Sequence, residues 1–112
     1  MAYSEALAKR VREALAGERG VREIKMFGGL TFMVRGYMAL GIVGEDLMVR
    51  VGPDGYHRAL TRVHAREMDF TGRSIKGFVF VEPAGIRTKR SLASWVGLAV
   101  AFAKSRRRAP LV

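Results

Sequence analysis

Residues 30–51 read LTFMVRGYMALGIVGEDLMVRV, and this stretch decides the fold. Val, Ile, Leu, Met and aromatic side chains fill three short runs, Leu30 to Arg35, Tyr37 to Val43 and Asp46 to Val51, parted by Gly36 and by Gly44-Glu45. Runs of this length and composition between glycine turns are strands joined as hairpins. The stretch therefore predicts an antiparallel meander. In its third run Leu47, Val49 and Val51 alternate with Asp46, Met48 and Arg50, which gives the strand one dry face and one at least partly polar face. Something apolar must pack on one side of this sheet.

Helices on either flank supply it. Upstream, Ser4 to Ala16 places Leu7, Val11 and Leu15 at every fourth position, with Ser4 as N-cap, Glu5 at the positive helix end and Gly17 and Gly20 as the stop. Met26-Phe27-Gly28-Gly29-Leu30 then marks a sharp turn between apolar pieces, because adjacent glycines reach backbone angles closed to other residues. Downstream, Gly52-Pro53-Asp54 opens a short second helix with Tyr56, Leu60 and Val63 as its buried stripe. Met68 to Arg73 is a strand entering a turn, and Lys76 to Glu82 is a strand that alternates Phe78 and Phe80 against Val79 and Val81 until Pro83 stops it.

Thr88 or Ser91 caps the last helix, whose apolar face comprises Leu92, Trp95, Val96, Ala99, Phe102 and Ala103. Lys104 to Arg108 places positive charge at its negative end, and Pro110 prevents continuation. The predicted architecture is α+β, with an antiparallel sheet of about five strands packed with helices in the order α-β-β-β-α-β-β-α. One domain spans residues 1–105, followed by a basic, mobile tail over 106–112.

The totals agree with this reading and remove several kinds of chemistry. A chain of 112 residues with 49% hydrophobic and 27% charged residues is large enough for one core and too small for two. Without cysteine there is no disulfide, no thiolate nucleophile and no Cys-based metal site. The N-terminus lacks the pattern of a leader, and no apolar run is long enough for a membrane span, which predicts a cytoplasmic protein without a membrane partner. The formal charge is +10 and the sequence pI about 11.1, a field that attracts phosphate backbones, anionic lipids and acidic proteins alike.

No reactive constellation is legible. His57 and His64 on one helix would stand roughly 10 Å apart, too far to share a metal ion, and His64 with Glu67 lacks a third ligand. The serines fall at caps, in a turn and in the last helix, with no nucleophile elbow. Glu45-Asp46 and Glu67 with Asp69 suit solvent better than acid/base work. No catalytic, metal-binding or cofactor-binding residue is predicted, and no enzyme.

Two basic clusters are the stronger signal: Arg87, Lys89 and Arg90 at the start of the last helix, and Lys104, Arg106, Arg107 and Arg108 at its end. About 20 Å of helix separates them. Without base-reading groups they would bind nucleic acid through its backbone and in a salt-dependent way.

Three segments then share a pattern: Met26-Phe27-Gly28-Gly29-Leu30-Thr31-Phe32, Leu47-Met48-Val49-Arg50-Val51-Gly52, and Met68-Asp69-Phe70-Thr71-Gly72-Arg73. With Gly77 to Val81 and Trp95-Val96, this sequence resembles the TfoX N-terminal domain family over nearly its whole length. The resemblance implies a secretion-chaperone-like α+β fold and a link to the regulation of bacterial competence genes. It does not imply an enzyme. The founding regulators carry a second, C-terminal domain, and this chain ends after its third helix.

The motif also has a structural reading, in which Met26 and Phe27 supply core volume, Gly28 and Gly29 form the turn, and Phe32 packs beneath the helices. The expected function is a small regulatory or protein-interaction domain. Its partner would be an unidentified protein or a second copy, docked on an exposed sheet face or edge rich in Met33, Met38 and Met48. Electrostatic nucleic-acid binding is the alternative.

Overall fold

The computed structural model describes residues 3–26, 28–70 and 73–106. In chain order its elements are α1 (Glu5–Ala14), β1 (Val21–Met26), β2 (Gly29–Val34), β3 (Tyr37–Val43), β4 (Asp46–Arg50), α2 (Tyr56–Leu60), β5 (Ala65–Phe70), β6 (Arg73–Val81), a 3-10 turn (Pro83–Ile86) and α3 (Lys89–Ser105). The strands form one open sheet in the order β1-β2-β3-β4-β6-β5, antiparallel at every pairing. The α+β class and the meander are as expected, but the sheet has six strands where about five were expected.

The additional strand is β1. Its four central residues, Arg22, Glu23, Ile24 and Lys25, are exposed, so it offers no apolar alternation to read. Charged side chains on an edge strand also discourage pairing with another chain. Arg12 of α1 braces it, with two guanidinium nitrogens 2.7 and 2.8 Å from the Glu23 carboxylate.

The three described helices lie on one side of the sheet. Leu7, Ala8 and Val11 of α1, Tyr56 and Ala59 of α2, and Leu92, Trp95, Val96, Ala99, Val100 and Ala103 of α3 are buried in one core. The sheet contributes Leu30, Phe32 and Val34, Leu40 and Ile42, Leu47 and Val49, and Val79 and Val81 to it. The strand positions recur every second residue, as the pleat requires. Between β2 and β3 the register slips, pairing Phe32 with Leu40 but Met33 with Met38. The extra residue, Ala39, is buried in the core together with Leu40, as at a β-bulge.

Both long helices are capped by the chain just before them. The Ser4 hydroxyl accepts the Leu7 N–H at 3.1 Å, and the Ser4 N–H donates to the Gly44 carbonyl at 2.7 Å, tying the start of α1 to the β3–β4 turn. For α3 the cap is Thr88, whose Oγ1 accepts the Ser91 N–H at 3.0 Å. Phe102 is only half-buried, whereas Val100, two residues before it, is buried in the core.

The second helix departs most from expectation. It spans only Tyr56–Leu60, with Gly55 as N-cap and Pro53 and Asp54 in the preceding turn. Tyr56 is buried and Leu60 packs against the core, but Val63 is 75% exposed because the helix has ended. His64 follows at φ +71°, outside the helix, so His57 and His64 do not share one.

Gly28 turns the chain at φ +71°, and a Cβ on Gly29 would collide with the Ile42 carbonyl of β3. Phe32 is fully buried beneath the helices. Met26, however, is only partly buried and lies on the helix-free face, not in the core, while Phe27 lies outside the described residues.

Candidate functional site

The pleat that feeds the core also builds a second, helix-free face. Cross-strand partners lie on the same face, and one row of them crosses all six strands: Ile24, Thr31, Gly41, Met48, Phe80 and Arg66. Beside it, Arg22 pairs with Met33, Met33 with Met38, and Arg50 with Phe78. Met26 and Val43 line a crevice with Thr31, Gly41 and Met48 that is too narrow for water. Apart from Met1 the sequence has five methionines, and all of them, Met26, Met33, Met38, Met48 and Met68, belong to this face.

None of the described helices covers this side, yet its centre is closed. Met48, Met68 and Phe80 are buried against one another, with Met38, Val43 and Phe78 packed around them. Gly41 makes room for the Met48 thioether, whose Cε lies 2.8 Å from where a Cβ would stand. Methionine thioethers are flexible and polarizable, so such a surface can reshape against a partner at low cost. Ile24 stays more than a third exposed.

Arginines occupy the margins. Arg66 lies 4.7 Å from the Phe80 ring centre and pairs with Asp46 at 2.8 Å. Arg50 lies over both Phe78 and Phe102, at 5.4 and 5.2 Å. Burial, and then repulsion from Arg106, lowers the Arg50 pKa from its ordinary value, but a guanidinium stays charged throughout the working range. Arg22 is exposed at the β1 edge.

Those of the basic residues singled out by the sequence that are described lie at the two ends of α3 and are not brought together. Arg87, Lys89 and Arg90 are exposed at the start of α3, where Arg10 of α1 donates to the carbonyls of Ile86, Arg87 and Thr88. Lys104 and Arg106 lie at the other end, with Lys104 paired to Glu18 at 3.1 Å and Arg106 over the rings of Tyr37 and Phe102 at 5.7 and 5.6 Å. Arg107 and Arg108 lie outside the described residues.

Among the described residues no three His, Asp or Glu side chains gather as metal ligands. None of the described helices is long and apolar enough to cross a membrane. Tyr56 has its phenol pKa raised, by burial and then by the Glu67 charge, so it acts as a neutral hydroxyl. Sequence reasoning identified Met33, Met38 and Met48 but not Met26, Met68 and Phe80 as their neighbours. The spacing of Phe78 and Phe80 was visible, whereas the strand register that joins them to Met48 was not.

The family model described as the TfoX N-terminal domain matches residues 13–103, from the end of α1 to the last turn of α3. No curated protein and no solved structure matches the chain.

Proposed function

The chain belongs to the TfoX N-terminal domain family, and from that premise we propose a non-catalytic, competence-related regulatory domain that docks a protein partner on the helix-free face of its sheet. The observation that carries this reading is the gathering of five methionines with Phe78 and Phe80 on the one sheet face that none of the described helices covers. A face designed only for water would carry polar side chains at those positions. The arginine margins select for a partner with apolar anchors flanked by acidic residues. A second copy is the poorer occupant, since two chains of charge +10 would meet with like charges along the rim.

The test is capture from native lysate by the wild type and by Met38→Glu and Ile24→Glu, followed by direct titration of each purified partner. Ile24 is exposed and Met38 only partly buried, so circular dichroism should report both variants as folded. A partner bound by the wild type and weakened at least about tenfold by both variants, but not by Arg87→Ala with Arg90→Ala, supports the reading. Partners indifferent to the face variants count against it. Binding to DNA or RNA that weakens with salt and is lost on the arginine changes would favour the electrostatic alternative.

A further inference from the structure

On the opposite side of the sheet, α2 and α3 do not close against each other, leaving an open groove of about 490 Å³ between them. That volume lies in the range of small-molecule sites, roughly 300 to 1,000 Å³. Arg58 and Arg62 from the α2 side and Ser94 and Leu98 from α3 form its walls, above Val51 and Ala59. Among the described residues that line it there is no acidic side chain and no histidine, so the charge of the lining comes from Arg58 and Arg62.

Three features separate this groove from an accidental gap. Arg62 is held in place, its guanidinium 3.8 Å from the centre of the buried Trp95 ring, which limits the conformational freedom lost on binding an anion. Leu98 is 42% exposed on the groove wall, in a helix whose other large apolar residues are at least half-buried. Gly97 lies inside α3 where a Cβ would meet nothing within 4 Å. A helix-interior glycine is unfavourable there, and any larger side chain would enter the groove.

We propose that the α2–α3 groove binds a small organic carboxylate with an apolar body. Arg58 and Arg62 hold the carboxylate, whose geometry suits the planar fork of arginine. Leu98, Ala59 and Val51 receive the apolar part, and Ser94 supplies a hydroxyl at the rim. The apolar floor argues against a free phosphate, which would leave that surface wet. This site is separate from the sheet face and does not depend on what docks there.

Trp95 is the single tryptophan, and its contact with Arg62 makes its fluorescence a built-in reporter. Titration with octanoate is expected to give a saturable change in emission, with backbone amide shifts concentrated in α2 and α3. Arg58→Gln, which removes an exposed side chain, should weaken binding about tenfold, and Arg62→Gln at least as much. Gly97→Leu should abolish binding while the melting temperature stays unchanged or rises. The proposal is overturned if octanol or inorganic phosphate binds as well as octanoate, if Gly97→Leu leaves affinity intact, or if no saturable signal appears up to about 10 mM, a limit of roughly −3 kcal/mol.

Discussion

Two glycines show how one chemical change can have opposite signs at different places. Gly52 has φ +83°, and a Cβ there would collide with the Phe102 ring. Gly52→Ala therefore combines left-handed strain with overpacking and should cost about 2–4 kcal/mol in denaturant unfolding. Gly97→Ala adds a methyl to open space in a regular helix, and the same measurement should show a gain of up to about 1 kcal/mol. Equal effects at both positions would contradict this account of the α3 contacts. Glu23 gives a pH-dependent case at the same scale. Its hydrogen bond to Arg12 lowers the carboxyl pKa below the ordinary value. A depressed carboxylate pKa contributes stability above the unfolded-state pKa and loses it as pH falls through the folded value. The difference in melting temperature between wild type and Glu23→Gln should be small, because the pair is exposed, and should vanish in acid. A difference that grew in acid would contradict the assignment.

At the scale of elements, α3 depends on the cap at its start. Thr88→Ala removes the acceptor for the Ser91 N–H and should cost about 1 kcal/mol, whereas Thr88→Ser should restore most of it. Thermal melts of the pair separate a lost cap from a lost methyl contact. This cap was one of two candidates in the sequence, and only the backbone at Thr88, extended before the helix begins, decides between them. The strands of residues 30–51 were legible because each alternates or runs apolar between glycines. β1 was not, because an exposed edge strand of charged residues shows no period. α2 was overextended to Val63 because three apolar residues at helical spacing mimic a stripe, and the chain leaves the helix at Thr61. Half of the candidate face was legible for a related reason: alternation separates a strand's two faces, but neither which strands are neighbours nor their register follows from it. The order β4-β6-β5, which lays Phe80 beside Met48, is a property of the assembled sheet. The α2–α3 groove was invisible since it depends on how far apart two helices stand.

Across the whole molecule, 20 basic residues face 10 acidic ones, and the described ion pairs Arg12–Glu23, Arg66–Asp46 and Lys104–Glu18 are all partly exposed. Exposed pairs contribute about 0–1 kcal/mol each, so unbalanced repulsion should outweigh them. The molecule measures 45 × 29 × 27 Å. At about 0.01 M salt the screening length is roughly 30 Å, and most positive charges interact across the fold; at about 0.15 M it is roughly 8 Å, and only neighbours do. Sodium chloride added over that range should therefore raise the melting temperature, by about 5 °C for each kcal/mol of relieved repulsion in a chain of this size. The effect should be larger below the ordinary carboxylate range, where protonation leaves the basic side chains unopposed and the Glu23 contribution is also lost. A melting temperature that fell with salt at neutral pH would mean that the ion pairs, and not the net charge, dominate the electrostatics of this fold. The arginine margins of the sheet face would then serve as bracing for the sheet itself.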